Sequence, residues 1–276
     1  MFEPSRELTV LMGAARAAGA DLLRRFRRRS ELDVREKGPA DLVTAADLAS
    51  EHTLRSILLG QYPQCGFVSE ESAPSGRLDT SERFIVDPLD GTTNFVHGVP
   101  HFAVAIALER GGRTTAAVVY DVPKDEMFVA ELHRGAWLGT ERLRVSNDDD
   151  LSRAIVGTGI PHASRSHGLN EHDAYLSKLR AVMRQAAGVR RFAAAALDLA
   201  YVAAGRFGAF FEFGLSAWDL AAGALLVREA GGRVSRPDGG DDVLGSGDVL
   251  ATNARLHSTM IGLLHDECAS RGRQEG

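Results

Sequence analysis

Acidic side chains stand at four places where an apolar run stops or a helix begins. Phe67-Val68-Ser69 leads into Glu70-Glu71, and Phe84-Ile85-Val86 leads into Asp87-Pro88-Leu89-Asp90-Gly91-Thr92-Thr93-Asn94. Thr44-Ala45-Ala46-Asp47 and Ser216-Ala217-Trp218-Asp219 each open a helical pattern. Asp87 follows three apolar residues and is expected to end a buried strand, because Pro88 fixes φ and lacks the N–H that a central strand needs. The turn then returns Asp90 to Asp87. Two carboxylates held close repel unless a proton or a cation lies between them, and hard divalent cations take oxygen ligands of this kind. A turn carbonyl such as that of Leu89 offers another oxygen. Gly91, Thr92 and Thr93 add backbone N–H groups and two hydroxyls at a helix start, which suits a phosphate.

Each place also has a local explanation. Asp87 to Asp90 can be an Asp-Pro turn with an Asx cap. Thr44/Asp47 and Ser216/Asp219 have the spacing of a capping box with Asp in place of Glu. Glu70-Glu71 can be an exposed loop. The set, with no cysteine or histidine cluster beside it, has the ligand chemistry of magnesium rather than zinc. Competing motifs are missing: no P-loop, no dinucleotide glycine motif after a strand, no His-Glu-x-x-His, no Gly-x-Ser-x-Gly. Nor is there an Asp-x-Asp-Gly-Thr phosphatase motif, since Pro88 and Leu89 separate the two acids. His97 and His101 flank the turn after the acidic loop and are read as structural.

The elements that must carry these acids are legible in the pattern of apolar residues. Leu8, Leu11, Met12, Ala15, Leu22, Leu23 and Phe26 share one helical face over 6–29, with arginines at the end that the helix dipole favours. A second helix is expected from Thr44 to about Gly60. From Gly66 to Val145 short strands follow closely: 67–69, 84–87, 102–109, 114–120, 127–131, 136–138 and 143–145, with Gly111-Gly112 as a hairpin turn. Close spacing predicts a mostly antiparallel sheet. After the polar connector Asn147–Asp150 the texture alternates: strand 155–158, helix 171–187, strand 189–192, helix 193–204, strand 209–213, helix 218–230, then strands 233–235 and 249–251. Gly188, Gly205 and Gly231 stand as left-handed caps. Alternation of this kind predicts layers of helix and sheet. The chain divides into halves 1–146 and 147–276 within one catalytic unit.

The 276 residues carry 32 Lys+Arg against 37 Asp+Glu, a net charge of −5, which disfavours non-specific nucleic-acid binding. Two cysteines, Cys65 and Cys268, build no disulfide framework and fit a reducing compartment. No apolar run approaches the ~20 residues that span a bilayer. The arginines at 24–29 stand where a signal peptide would be cleaved. A cytoplasmic protein, off the membrane, is expected.

Together the sequence resembles the inositol monophosphatase family. The resemblance is carried by Asp87-Pro-Leu-Asp-Gly-Thr-Thr-Asn-Phe95, Trp218-Asp-Leu-Ala-Ala222, Glu229-Ala-Gly-Gly232, Asp41-Leu-Val-Thr-Ala-Ala-Asp47 and Glu70-Glu71-Ser72, in the family's order. It implies a layered αβαβα sandwich (α+β, with a smaller mixed C-terminal sheet), a homodimer, and a lithium-sensitive phosphomonoesterase using two to three magnesium ions (Mg2+, with Mn2+ as substitute). By matched position, Glu70, Asp87 and the Leu89 carbonyl would hold one ion, and Asp87, Asp90 and Asp219 a second. A third would sit near Glu70. Thr92, hydrogen-bonded to Asp47, would orient the attacking water, making Asp47, Glu70 and Thr92 the catalytic set. Gly91, Thr92 and Thr93 would meet phosphate. Glu212, Ala196 and its neighbours, with Asp90 and Asp219, would border the alcohol.

One departure stands out. The family often has Gly-Ser or Gly-Thr where this chain has Ala193-Ala194, which loosens the expectation of an inositol ring. Arg190 and Arg191 are read as surface charges. The expected substrate is a small polyol phosphate, first myo-inositol 1-phosphate. Histidinol phosphate, fructose 1,6-bisphosphate and 3′-phosphoadenosine 5′-phosphate are the alternatives, and Glu212 weighs against a second phosphate. A different class of role is that of a partner in RNA-polymerase antitermination.

Overall fold

Helix α1 (Arg6–Arg27) is followed by the hairpin β1 (Val34–Gly38) and β2 (Asp41–Thr44), helix α2 (Ala45–Gln61), and strands β3 (Gly66–Ser69), β4 (Ser75–Gly76) and β5 (Glu82–Asp90). Helix α3 (Thr92–His97) leads to β6 (Ala103–Arg110), β7 (Arg113–Asp121), β8 (Glu126–Glu131), β9 (Gly135–Leu138) and β10 (Glu141–Arg142). Then come β11 (Ile155–Thr158), α4 (Leu169–Met183), β12 (Gly188–Arg190), α5 (Ala195–Ala203) and β13 (Ala209–Glu212). The chain closes with α6 (Ala217–Glu229), β14 (Arg233–Ser235), α7 (Val243–Ser246), β15 (Val249–Thr252) and α8 (His257–His265). The structure, a computed structural model, describes residues 2–28, 34–38, 41–72, 75–76, 81–160 and 169–265. Cys268 and the side chain of Asp41 lie outside the described residues.

Strand order β10-β9-β8-β7-β6-β5-β3-β4 builds an eight-stranded sheet, antiparallel except for β3 beside β5. Strands β12-β11-β13-β15-β14 build a mixed five-stranded sheet. The larger sheet is apolar on both faces, and its period-two alternation sorts two cores. Val104, Ile106 and Leu108 of β6 pack towards α1 and α2, while Ala103, Ala105 and Ala107 pack towards α5 and α6. The alanine face is what lets two helices lie close to the sheet. The five-stranded sheet covers the other side of α5 and α6, and Tyr175 of α4 and Met260 of α8 close its outer face. The layers are therefore α1α2, sheet, α5α6, sheet, α4α8: the αβαβα sandwich. The middle core draws on residues from Ile85 to Ala251, so both halves share it.

Several local expectations shift. Strand β5 does not stop at Asp87 but runs to Asp90 through a bulge, because Pro88 sits where no ladder N–H is required. The strand expected at 143–145 is instead β10; Val145 leaves the sheet to donate to the Ala230 carbonyl at 3.2 Å. Gly188 begins β12 rather than capping α4, since Ala187 is already bound to the Leu151 and Ala154 carbonyls. Gly111 and Gly112, at φ +55° and +73°, make the expected hairpin turn. Among the described residues no helix is long and apolar enough to cross a membrane.

Candidate active site

The bulge in β5 is the first act of assembly. Asp87 pairs with Ala105 and Asp90 with Ala103, so Pro88 and Leu89 together oppose one residue. Three residues along a regular strand would put the two carboxylates on opposite faces. The extra residue returns them to the same face, the one towards α5 and α6. Leu89 N–H donates to Asp87 Oδ1 at 3.0 Å, and Ala196 N–H, in the first turn of α5, donates to Asp90 Oδ2 at 3.0 Å. The C-terminal half thus grips an acid of the N-terminal half.

Helix α2 holds the turn from the other side. Thr44 donates to Asp47 Oδ2 through its N–H (2.8 Å) and its hydroxyl (2.7 Å), completing the anticipated capping box. The second oxygen, Asp47 Oδ1, accepts from Thr92 Oγ1 at 2.9 Å. One helical turn on, Ser50 Oγ donates to the Pro88 carbonyl at 2.7 Å, and Glu51 Oε1 accepts from Ser72 Oγ at 2.6 Å beside Glu70. Ser50 is a positioning residue that the sequence reading missed; its signal was the i, i+3 spacing from Asp47 on one helical face. Asp219 Oδ2 accepts from Ser216 N–H at 2.6 Å, again the cap expected. The cap and the site are not alternatives: the cap aims the carboxylate.

The acids that these bonds aim border one cavity of about 180 Å³, with Asp47 set behind it. Glu70, Asp87, Leu89, Asp90 and Asp219 form its acid side, and Gly91, Thr92 and Thr93 its floor. Glu212, Ile160, Ala193, Ala195 and Arg191 line the rest of it, a second wall that comes from the C-terminal half. Asp47 does not border the cavity and reaches it through Thr92. Ala196 is fully buried and meets Asp90 by its N–H instead of touching the cavity, where Ala193 and Ala195 stand. Arg191, read as a surface charge, is exposed and lies on the cavity rim. His101 is structural, tilted against Phe192 and edge-on to Tyr201, with its pKa lowered to about 4 by burial. Gly91 has two reasons to be glycine: φ is +89°, and a Cβ would stand 3.0 Å from the His101 carbonyl.

Electrostatics mark the acid side. Burial, then the charges of Glu70, Asp90 and Asp219, drive the Asp87 pKa well above the carboxylate range. Burial and Asp219 lift Asp90 to about 8. Asp47 is raised by burial, against the hydrogen bonds from Thr44. A further acid not singled out before, Asp198 of α5, is 1% exposed and raised by burial, then by Glu212 and Asp90. Among the described residues no three acidic, histidine or cysteine side chains already form a closed metal cage. Yet carboxylates that raise one another's pKa across one small cavity, with a strand-end carbonyl beside them, are a hard-oxygen donor set that a divalent cation would relieve.

A family model described as the inositol monophosphatase family matches residues 3–269. The chain belongs to the inositol monophosphatase family. Members of this family are generally metal-dependent, and the chain is accordingly a phosphomonoester hydrolase. It is 47% identical over 254 residues to the inositol-1-monophosphatase of Mesorhizobium japonicum, covering 92% of this chain and 94% of that one. It is 45% identical to the Nus factor SuhB of Pseudomonas aeruginosa, with 92% and 94% covered. The crystal structure of the extragenic suppressor protein suhB from Bartonella henselae superimposes with a TM-score of 0.90 at 44% identity, covering 95% of this chain and 99% of that one.

Proposed function

We propose that this inositol monophosphatase family member hydrolyses a small polyol phosphomonoester, myo-inositol 1-phosphate foremost, with magnesium as cofactor. The observation that carries the reading is the meeting of Glu70, Asp87, Asp90 and Asp219 with the Thr92 hydroxyl around one cavity. Glu70, Asp87 and the Leu89 carbonyl would hold one ion, and Asp87, Asp90 and Asp219 a second. A third would lie near Glu70. Magnesium bound there supplies Lewis acidity and positive charge against the charge that develops on the departing oxygen.

The chain's own residues do the rest. Thr92 Oγ1 lies 2.9 Å from Asp47 Oδ1 and 3.0 Å from the Leu89 carbonyl, so its single proton turns to these acceptors and its lone pairs are left to accept from a water in the cavity. That contact fixes the water in line with phosphorus, and the Thr92–Asp47 pair offers a path for its proton. The turn at Gly91–Thr93 presents N–H groups to the phosphate oxygens. Arg191 at the rim attracts the dianion, and Glu212 accepts hydrogen bonds from substrate hydroxyls while repelling a second phosphate. Ala193 and Ala195 offer no hydroxyl, so this wall selects more by Glu212 than by hydrogen bonds from the α5 turn.

A phosphate-release screen over small phosphomonoesters, with and without magnesium, tests the reading. Release from myo-inositol 1-phosphate that exceeds release from histidinol phosphate and stops with chelator is the expected result. Indifference to chelator would overturn it. Inhibition by lithium, a homodimer in solution and residence in the cytoplasm belong to the same proposal. The likeness to proteins named Nus factor supports one second reading, binding to the transcription machinery. Co-purification with RNA polymerase that persists in Asp219→Asn would separate that role from catalysis.

A further inference from the structure

Glu212 ends β13, and Gly159 is the first residue after β11. The two strands are parallel, and Thr158 pairs with Phe211, so Gly159 and Glu212 are the next positions across the ladder. A Cβ placed on Gly159 would lie 1.8 Å from both Cδ and Oε1 of Glu212 and 2.3 Å from Oε2. The Glu212 carboxylate therefore occupies the room that a side chain at 159 would take. The backbone at Gly159 does not require glycine, since it is absent from the glycines with positive φ. All three obstructing atoms belong to the movable end of one side chain.

We infer that Gly159 is a specificity-determining positioning residue: its missing side chain leaves the notch that seats the Glu212 carboxylate and so sets where substrate hydroxyls are received. The inference rests on the proposed polyol-phosphatase reading and deepens it. Even one methyl at 159 obliges the carboxylate to move. Glu212 borders the cavity, and a carboxylate pushed out of its seat into that cavity competes with the ring it should receive. The acid side of the cavity, carried by β5 and the start of α6, is untouched. The fold should bear the change easily, because only a side-chain end must shift.

The test compares Gly159→Ala, Glu212→Ala and the double variant on myo-inositol 1-phosphate and on 4-nitrophenyl phosphate, which has no hydroxyls to place. Gly159→Ala should raise KM for the inositol ester about tenfold with kcat within about threefold. Its kcat/KM for the aryl ester should stay within about twofold. In the Glu212→Ala background, Gly159→Ala should add less than about twofold, because the two residues act as one unit. Equal losses on both esters, or the same loss with Glu212 absent, would overturn the inference. So would a crystal structure of Gly159→Ala with Glu212 unmoved, whatever the substrate proves to be. If Gly159→Ala alone fails to fold, folding of the double variant supports the clash and its failure refutes it. Loss of the functional reading looks different: the unaltered enzyme would then show no preference for the polyol ester, while the position of Glu212 could still be read from the crystal.

Discussion

The two walls of the cavity are built on different terms. On the acid wall, Asp87 and Asp90 are 1% and 6% exposed, sit on a bulge in a central strand, and each receives a backbone N–H. On the second wall, Ile160 is 50% exposed, Arg191 lies at the rim, and the Glu212 carboxylate occupies the space beside Gly159. One wall holds its groups by hydrogen bonds that cannot be exchanged without leaving a buried polar atom unpaired. On the other, the seat of Glu212 also depends on the room left at Gly159. The contrast teaches where change is tolerated: alterations on the acid wall should cost rate on every substrate, and alterations on the second wall should change which substrate is taken.

The most severe way to break this contrast is Asp90→Asn or Asp219→Asn. Either should lower kcat at least ~100-fold at saturating magnesium, since removal of one electrostatic group at a reacting centre typically costs that much. The loss should be the same for myo-inositol 1-phosphate and 4-nitrophenyl phosphate. A purified variant with near-normal turnover would remove Asp90 or Asp219 from the chemistry. Thr92 offers the next step down. Thr92→Val keeps the shape but ends the bond to Asp47, and steady-state kinetics should show kcat lower by up to about 100-fold through misplacement of the water. Thr92→Ser should retain most of the rate; if Ser and Val behave alike, the hydroxyl does not orient water.

How much of this was legible beforehand follows the same division. The acid wall could be read because its residues lie together in short segments, Asp87 to Thr93 above all, with caps that have a known spacing. What escaped reading was the bulge, because Pro88 looked like a strand end and only the partner strand shows that pairing resumes at Asp90. The second wall is assembled from residues far apart: Arg191 and Ala193 come from the connection before α5 and Glu212 from the end of β13, with Gly159, after β11, beside it. No local pattern places Gly159 against Glu212; the parallel register of β11 and β13 does. Ala196 was expected at the cavity by matched position and Arg191 was read as a surface charge; Ala193, Ala195 and Arg191 line the cavity instead. The layers themselves were readable from alternation, whereas β1–β2 and α3 were not, being too short to show a period, and α8 was not anticipated.

Acid should act differently on a site in the C-terminal half. His257 is fully buried between Thr252 Oγ1 (2.9 Å) and Ser235 Oγ (3.0 Å), and Ser235 gives its own proton to the Arg236 carbonyl. Nε2 must then donate, and in the neutral imidazole Nδ1 accepts from the Thr252 hydroxyl. Burial, helped by Arg233, lowers its pKa to about 4. The unfolded chain binds a proton near pH 6.5 and the folded chain does not. Stability is therefore present above pH 6.5 and is lost as pH falls towards 4, by at most about 3 kcal/mol. Urea midpoints should fall across that window and fall less in His257→Asn. Equal slopes in both proteins would assign the loss to other groups. The buried acids work in the opposite sense: their raised pKa means the folded chain takes up protons more readily than the unfolded one.

The smallest effect sits where the two walls touch. Ala193 has φ +59°, a left-handed conformation that disfavours any L side chain, at the place where the family often has glycine. Its carbonyl lies 3.4 Å from where a Cβ on Gly91 would be. The turn thus abuts the phosphate floor, and alanine there holds a left-handed conformation that glycine would take freely. Left-handed geometry costs alanine about 1–2 kcal/mol, and glycine gives back roughly 0.5–1 kcal/mol through its freer unfolded chain. Ala193→Gly should therefore raise stability by about 0.5 kcal/mol in denaturant unfolding, with kcat on 4-nitrophenyl phosphate unchanged within experimental spread. A variant that is less stable would mean that the Ala193 methyl group holds the turn by packing. The second wall would then be as firmly built as the acid wall, and its tolerance of change would need another explanation.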